Sequence, residues 1–511
     1  MSQAHLLIRN TLAVYGRKAL TVGLGLYGTR LLFQALGKID VGIFNVVGAS
    51  TALIAVLGQS FMISAVRHLS HALGREDREE FRILFNTTLV LFALIAVLVF
   101  IVGQLLAPCL PWLNIPEERL DTAFWVYQST LAIVIVTLLA APCSAVLTAN
   151  QALVLESMLA IPGVVLTFLA VWLLFYVPGD RLLAFAWFLL AARTIHLALI
   201  TTCCFVKFPD SRMSLSRFRK SRLPRIGSFA GWTALGGLTW SLRMKGSSIL
   251  LNLFFGPALN ASWDVSTRAS NYHAGICHGI GSSVTPAIIT AEGRGNRRQM
   301  ISLMFAASKF STLISLFLAV PIAMDAGNVL NLWIENPPAY AAAFVAYILI
   351  ALTIDNLNYG NAAAMNATGE IGAYTRYMFR ITLLPIPIAC AGFYVGLSPM
   401  ALPILILVFS IGSSVYKVSF VARRLGFTMK EWYSRLVLPV LMVATIGTIA
   451  CLPVRFVLDA GWLRFLAISV SFAIAAMVAI WRCALSLDEK TRFVGYARHF
   501  WGRITLKERL T

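Results

Sequence analysis

Apolar runs of about 20 residues recur along the whole chain, separated by short basic, Gly/Pro-rich or polar segments. About 20 such residues carry a helix across roughly 30 Å of hydrocarbon, since each adds about 1.5 Å of rise. Counting the runs gives about fourteen expected spans, at 11–37, 41–73, 83–107, 121–148, 152–177, 182–206, 226–256, 260–291, 301–326, 340–366, 374–396, 400–421, 436–458 and 463–486. The pattern predicts an all-α polytopic membrane protein and leaves no stretch for a soluble domain of useful size. Spans longer than about 25 residues imply tilt or extension past the bilayer.

The segments between the runs alternate in charge. One set holds Arg75, Arg78 and Arg82, then Lys207, Arg212, Arg217, Arg219, Lys220, Arg222 and Arg225. It continues with Arg294, Arg297 and Arg298, then Arg423, Arg424, Lys430 and Arg435, and the tail adds seven further cations from Arg482 to Arg509. The opposite set offers Lys38, Arg119, Arg181, Arg455 and Arg464. Because basic loops stay cytoplasmic, both termini are expected inside, with an even number of spans. The external loops carry Pro and aromatic residues instead, as in PCLPWLNIP (108–116) and NLWIENPP (331–338).

Those two loops resemble each other. A shift of about 219 residues places Gly37 on Gly256, Phe44 on Trp263, and LGRED (73–77) on EGRGN (292–296). Trp112–Pro116 then meets Trp333–Pro337 with a two-residue slip. The chain therefore reads as two six-helix bundles related by a parallel repeat. The expected organisation is an N-terminal bundle at 1–206, a basic linker at 207–225 and a C-terminal bundle at 226–435. Two additional helices at 436–486 and a basic tail at 487–511 complete it.

Composition agrees: 59% of residues are hydrophobic, only 13% are charged, and the mean hydropathy is +0.78. On a soluble chain a net charge of +20 would point to nucleic acid. Here the cations sit in the loops, so the charge is read as topology and attraction to anionic lipid, with no nucleic-acid partner. Most cysteines fall within apolar runs without a C-x-x-C pair, so they are expected to pack as small hydrophobes. Cations at Arg9, Arg17 and Lys18 interrupt the first apolar stretch, which reads as a retained helix rather than a cleaved signal. Walker, zincin and nucleophile-elbow motifs are absent, so no enzyme activity, cofactor or metal site is expected.

Ionisable residues at membrane depth cost several kcal/mol unless they face protein or water, so they mark the chemistry. The eighth span carries Asp264, Arg268, Asn271, Gly275, His278 and Ser282 at steps of three and four, one polar helical face. The second span has Asn45 and Gln59 at the matching places, then Arg67 and His68. The first span sets Tyr27, Arg30 and Gln34 on one face, and Arg30 lies deep enough to need a partner. In the seventh span Arg243 and Lys245 lie roughly 200° apart around a helix, so at most one points squarely into a shared cavity. Arg243 is the preferred one. Asp355, in a polar run of the tenth span, is a counter-ion to Arg243 or Arg268 or a proton-coupling carboxylate; Asp264 is read similarly. Lys309 and Lys417 are expected to snorkel or pair elsewhere. Arg30, Arg67, Arg243 and Arg268 against two acids suit an anionic substrate, because guanidinium forks bind phosphate bidentately.

LLFQALGKIDVGIFNVVGA (31–49), SAVRHLSHALGRED (64–77), NASWDVSTRAS (260–270), TPAIITAEGRGN (285–296) and NATGEIGAY (366–374) resemble O-antigen-type polysaccharide flippases. These belong to the multidrug/oligosaccharidyl-lipid/polysaccharide exporter superfamily, and the resemblance spans nearly the whole chain. It implies a V-shaped pair of bundles around a cationic cavity, with alternating access for an undecaprenyl-pyrophosphate-linked glycan in the bacterial inner membrane. Membrane lipids and the polysaccharide polymerase and chain-length machinery are the partners it implies. By the same resemblance Arg30, Arg67, Arg243 and Arg268 would surround the pyrophosphate; the polar stripes of the second and eighth spans add Asn45, Gln59, Asn271 and His278 as expected cavity residues. Asn45, rather than an acid, departs from a pattern in which the N-terminal half couples protons or sodium. The competing readings are a multidrug cation antiporter of the same fold and a membrane-embedded glycan polymerase or transferase.

Overall fold

The structure, a computed structural model, describes residues 3–150, 152–223, 231, 235–368, 371–485 and 489–491. Those residues are helical, without strands. The helices are α1 (Gln3–Gly74), α2 (Arg78–Leu106), α3 (Leu120–Ala149), α4 (Leu153–Leu173), α5 (Arg181–Lys207), α6 (Ser247–Gly293), α7 (Arg297–Met324) and α8 (Ala326–Ile334). They continue as α9 (Ala341–Asn356), α10 (Tyr359–Ala367), α11 (Ile371–Leu383), α12 (Pro385–Tyr394), α13 (Ala401–Leu425), α14 (Leu438–Val457) and α15 (Trp462–Ala479). Among the described residues, eleven helices are long and apolar enough to cross a membrane. The expected all-α polytopic architecture is therefore present.

Both α1 and α6 contain a break. Gly37 takes φ 73°, ψ 178° and Gly256 takes φ 79°, ψ 178°, a region essentially closed to any residue with a Cβ. The two breaks are separated by the same offset as the sequence repeat. Other local features recur with it. Glu76 (φ 58°) and Gly295 (φ 72°) both turn the chain left-handed. One residue on, Asp77 caps α2 by accepting from Glu80 N at 2.9 Å, and Asn296 caps α7 by accepting from Gln299 N at 3.1 Å. Asn114 (φ 51°) and Glu335 (φ 69°) match with the two-residue slip of the tryptophan motif.

The chain divides into two compact units. The first comprises Met1–Ala269, Trp333–Phe344 and Ile371–Phe409. Its α1 packs on α2, α3, α4 and α5, and Ile43, Val46, Phe92, Val126, Tyr127 and Leu182 form one buried core. Behind the Gly37 break, buried Asn45 donates to Ser248 Oγ at 3.1 Å and Asn260 Oδ1 at 3.2 Å, while Asn260 Nδ2 donates to Gly42 O at 3.1 Å. Gly42 lies directly against the carbonyl of Pro257, so these segments approach backbone to backbone.

A charged staple ties the ends of this unit's helices. Arg119 bonds to Asp40 (Nε to Oδ1 3.1 Å) and to Asp180 (Nη1 to Oδ2 2.8 Å). Asp180 also caps α5 through Leu182 N and Leu183 N and accepts from Thr122 Oγ1 at 2.7 Å. Partial burial alone would raise the Asp180 carboxyl; the bonds from Thr122, Leu183 and Leu182 and the Arg119 charge outweigh it and hold the group below its ordinary value. A depressed folded-state pKa gives stability that is fully present above the unfolded carboxylate range and lost as pH falls through the folded value. Thermal unfolding of the purified protein should therefore shift downward below about pH 4, where unfolded aspartate protonates. Arg119→Ala should destabilise by about 1–3 kcal/mol, since it strands two partly buried carboxylates that sit beside each other.

The second unit comprises Ser270–Leu332, Val345–Glu370 and Ser410–Thr511. Helix α7 lies against α10, α14 and α15. Arg464 holds Asp325 with both nitrogens (2.7 and 3.1 Å), and Asn328 joins Asp325 to the Gly461 carbonyl. Lys309 does pair, with both oxygens of Glu489 (2.8 and 2.7 Å) and with Ala484 O at 3.0 Å. Cys143, Cys204, Cys277 and Cys451 are buried free thiols.

Candidate functional site

The first unit gathers charge around the middle of α1. Tyr27, Arg30 and Gln34 share a helical face, and Arg30 and Gln34 both bond to Glu335, Gln34 at 2.9 Å. Glu335 sits in the NLWIENPP loop in a left-handed conformation that a non-glycine residue adopts only under constraint. Two residues earlier, Trp333 Nε1 donates to Leu26 O at 2.7 Å and seats the loop on α1. The matching loop of the first half does the same. Asn114 reaches the carbonyls of Asn252 and Leu253, the repeat positions of Phe33 and Gln34, at 3.4 Å each. Glu335 therefore replaces a neutral dock with a carboxylate that meets Arg30.

One residue from Arg30, Thr29 spends its proton on Gly25 O at 2.7 Å, which leaves its oxygen to accept from Arg268 Nη1 at 3.4 Å. Arg268 Nε also donates to Asp264 Oδ2 at 2.6 Å, an i,i+4 pair with the acid on the favourable N-terminal side. Lys245 lies within electrostatic reach of both Asp264 and Arg268. The sequence favours Arg243 for that place; Arg243 is buried, in a π-helical turn, Leu242–Gly246, whose Met244 carbonyl accepts from Trp263 Nε1 at 2.8 Å. Such turns mark insertions into a helix and are common at functional sites.

Arg30 and Arg268, each with a carboxylate partner, and the nearby Lys245 bring three basic side chains to two acids, Asp264 and Glu335. The Arg30 and Arg268 side chains stay 33% and 28% exposed. An ion pair as open as Arg30–Glu335 contributes at most about 1 kcal/mol, so an incoming anion can exchange for Glu335 at small cost, whereas Asp264 is buried against Arg268.

Not every predicted residue joins this cluster. Arg67 is exposed near the Gly74 end of α1. It lies some 30 residues beyond the Gly37 break, or about 45 Å along a helix. Asn45 is buried in the packing knot already described. Asn271 is exposed and belongs to the second unit, and the side chains of Gln59 and His278 lie outside the described residues. Asp355, also in the second unit, pairs with Lys417 at 3.3 Å and accepts from Ser410 at 3.3 Å. The sequence reading had offered Arg243 or Arg268 and gave Lys417 no such role. The sequence does not single out Glu335 or Thr29, and it weighs Lys245 only as the alternative to Arg243. The signal for Glu335 was present, as an acid in a loop that the repeat aligns with a neutral asparagine.

No family model matches the sequence, and no curated protein does. Solved structures do. A multidrug-resistance MATE-family transporter of the MOP superfamily, inward-facing, matches with TM-score 0.68 at 16% identity, over 82% of this chain and 98% of that one. The lipid II flippase MurJ, inward closed, matches with TM-score 0.67 at 14% identity, over 92% and 98%. A MOP-superfamily transporter from Pyrococcus furiosus, described by the reverse polarity of its binding pocket, matches with TM-score 0.63 at 16% identity, over 82% and 95%. The chain has the MOP-transporter fold. At these identities the likeness is one of fold. Within the MOP fold, multidrug transport and lipid II flipping are both represented among these neighbours.

Proposed function

We propose that this chain is a flippase that moves an undecaprenyl-pyrophosphate-linked oligosaccharide from the cytoplasmic to the periplasmic leaflet of a bacterial inner membrane. The observation that carries the reading is the cluster of Arg30, Lys245 and Arg268, in which the two guanidinium groups stay partly open and Arg30 is held by an exposed carboxylate. A pyrophosphate presents several oxyanions, and guanidinium forks outcompete water for them in a low-dielectric site. The resemblance to O-antigen-type flippases supports the same substrate class. So does the larger share of the chain, 92% against 82%, that MurJ covers relative to the MATE transporter.

The proposed topology has fourteen spans: the eleven apolar helices and the segments 41–73, 226–256 and 260–291, with both termini cytoplasmic. Two six-helix bundles, 1–206 and 226–435, would alternate access to the cationic cavity, joined by the basic linker 207–225. The pair 436–486 and the tail 487–511 are appended. Energy would come from an ion gradient, the membrane potential or the substrate's own gradient. Asp264 and Asp355 are the candidate coupling carboxylates. A polysaccharide polymerase and its chain-length partner would receive the product.

A second reading, multidrug cation export, is favoured by the two carboxylates in the cluster and by the MATE likeness. Equilibrium binding to the nanodisc-embedded protein separates the two. Farnesyl pyrophosphate is expected to bind saturably and tetraphenylphosphonium weakly. Glu335→Gln, which frees Arg30, should tighten pyrophosphate binding about 3- to 10-fold, the range of one modest electrostatic contact. Tight binding of the organic cation, lost in Asp264→Asn, would instead establish the drug-export reading.

A further inference from the structure

Arg193 stands midway along α5, about 18 Å from its Arg181 end at 1.5 Å per residue, and so near the centre of a hydrocarbon core of roughly 30 Å. Steps of seven and eleven residues return to one face of a helix. The residues at those steps from Arg193 are Leu182, Ala186, Ile200 and Cys204, each at most 1% exposed. Arg193 shares their inward face and yet is exposed. The outward face carries Trp187 and Ile195. The arginine therefore stands on the face of α5 that packs within the first unit, while its own side chain stays open.

Among the described residues Arg193 has no hydrogen-bond or ion-pair partner. Every aspartate and glutamate of the first unit is described, and none pairs with it. Asp40 and Asp180 serve Arg119, Asp264 serves Arg268, Glu335 serves Arg30, and Glu156 accepts from Thr148 at 3.1 Å. Glu79, Glu80 and Asp210 bind Arg82, Arg217 and Arg222, and the remaining acids lie in the loops and helix starts. The polar neighbour Arg193 does have is His196, one turn on, whose Nδ1 lies 3.2 Å from Leu159 O. That bond to a carbonyl makes Nδ1 the protonated nitrogen and Nε2 an acceptor, so the guanidinium of Arg193 supplies the donors an oxyanion needs. A cation at mid-membrane costs several kcal/mol, and here no protein carboxylate offsets it.

We infer that Arg193, with His196 beside it, is an anion-binding subsite inside the first unit, one that takes a phosphate or carboxylate oxyanion. A bidentate guanidinium supplies the charge and the geometry for such a group. Only the source of the oxyanion, a lipid-linked pyrophosphate or a free anion, rests on the proposed flippase function.

Phenylglyoxal modification of the full-length protein in nanodiscs, read residue by residue by mass spectrometry, tests the site. Arg193 should react in the ligand-free protein and at least 10-fold more slowly with farnesyl pyrophosphate, while farnesol gives no protection. Protection by inorganic pyrophosphate to the same extent would support the subsite and assign it to a free anion. Arg193→Gln should weaken farnesyl pyrophosphate binding at least 10-fold with an unchanged or higher Tm, and Arg193→Lys should restore part of it. The inference is overturned if Arg193 resists the reagent, if it reacts equally with and without both pyrophosphates, or if Arg193→Gln lowers Tm and leaves the Kd unchanged. Failure of the flippase reading itself would appear separately, as intact transport after loss of Arg30 and Arg268.

Discussion

Gly37→Ala and Gly256→Ala are each expected to destabilise the protein by about 1–3 kcal/mol, the cost of holding a residue with a Cβ in a glycine-only conformation. Both glycines sit at φ above 70° with ψ at 178°, where a side chain meets its own backbone whatever space surrounds it. Gly42→Ala should be worse. A methyl there would land on the Pro257 carbonyl oxygen, a backbone atom that cannot swing aside. Strain of that kind commonly costs about 1–3 kcal/mol and more when the backbone itself must move. Set against total stabilities of about 5–15 kcal/mol, Gly42→Ala combined with Gly37→Ala should remove a large share of the stability margin and lower the Tm well below that of either single variant. Gly412, with ordinary helical geometry and nothing within 4 Å, provides the control. Its alanine variant should match or slightly exceed the wild type in Tm and in monodisperse yield from detergent. Equal yields for the Gly42 and Gly412 variants would refute the close approach of these segments.

Neutralising the cluster should abolish transport while leaving the fold intact. Arg30→Gln and Arg268→Gln each remove a charged donor whose carboxylate partner remains, and the double variant turns the cluster net negative. A charge-assisted bond to an oxyanion contributes about 1.5–3 kcal/mol, or roughly 10- to 150-fold per arginine. Each single variant should therefore lose at least 10-fold in glycan translocation, and the double variant all that is measurable. Tm should change little for Arg30→Gln, whose pair is exposed on both sides, and should fall modestly for Arg268→Gln, which leaves the buried Asp264 carboxylate without its guanidinium. Arg268→Lys keeps the charge and loses the fork, so it should recover only part of the activity. Normal surface-glycan display by cells carrying the double variant would contradict this role.

Much of the architecture was legible in the sequence because membrane helices announce themselves by length and hydropathy alone. The repeat was also legible, and its most informative residues were Gly37 and Gly256. A glycine matched to a glycine points to one backbone conformation needed twice. The partners of the interior charges were not legible. Arg30 finds Glu335 more than 300 positions away, and no helical periodicity spans such a distance. Lys245 lies in a π turn, where the 3.6-residue period used to weigh it against Arg243 does not hold. Asp355 meets Lys417 through tertiary packing, and Lys417 reads in isolation as a snorkelling residue. Arg193 went unnoticed because its span, WFLLAARTIHLALITT, is otherwise so apolar that hydropathy absorbs a single cation. Its importance came from the burial of Leu182, Ala186, Ile200 and Cys204 around it, which only a folded structure supplies.

Leaflet-to-leaflet translocation in proteoliposomes containing the purified full-length chain tests the central claim most directly. A fluorescent polyprenyl-pyrophosphate oligosaccharide and a fluorescent lipophilic cation would be followed side by side. The cationic cluster predicts that the pyrophosphate-linked glycan crosses at least 10-fold faster than in empty vesicles, that Arg30→Gln/Arg268→Gln abolishes the gain, and that the cation is left behind. Export of the cation, with no acceleration of the glycan, would contradict it.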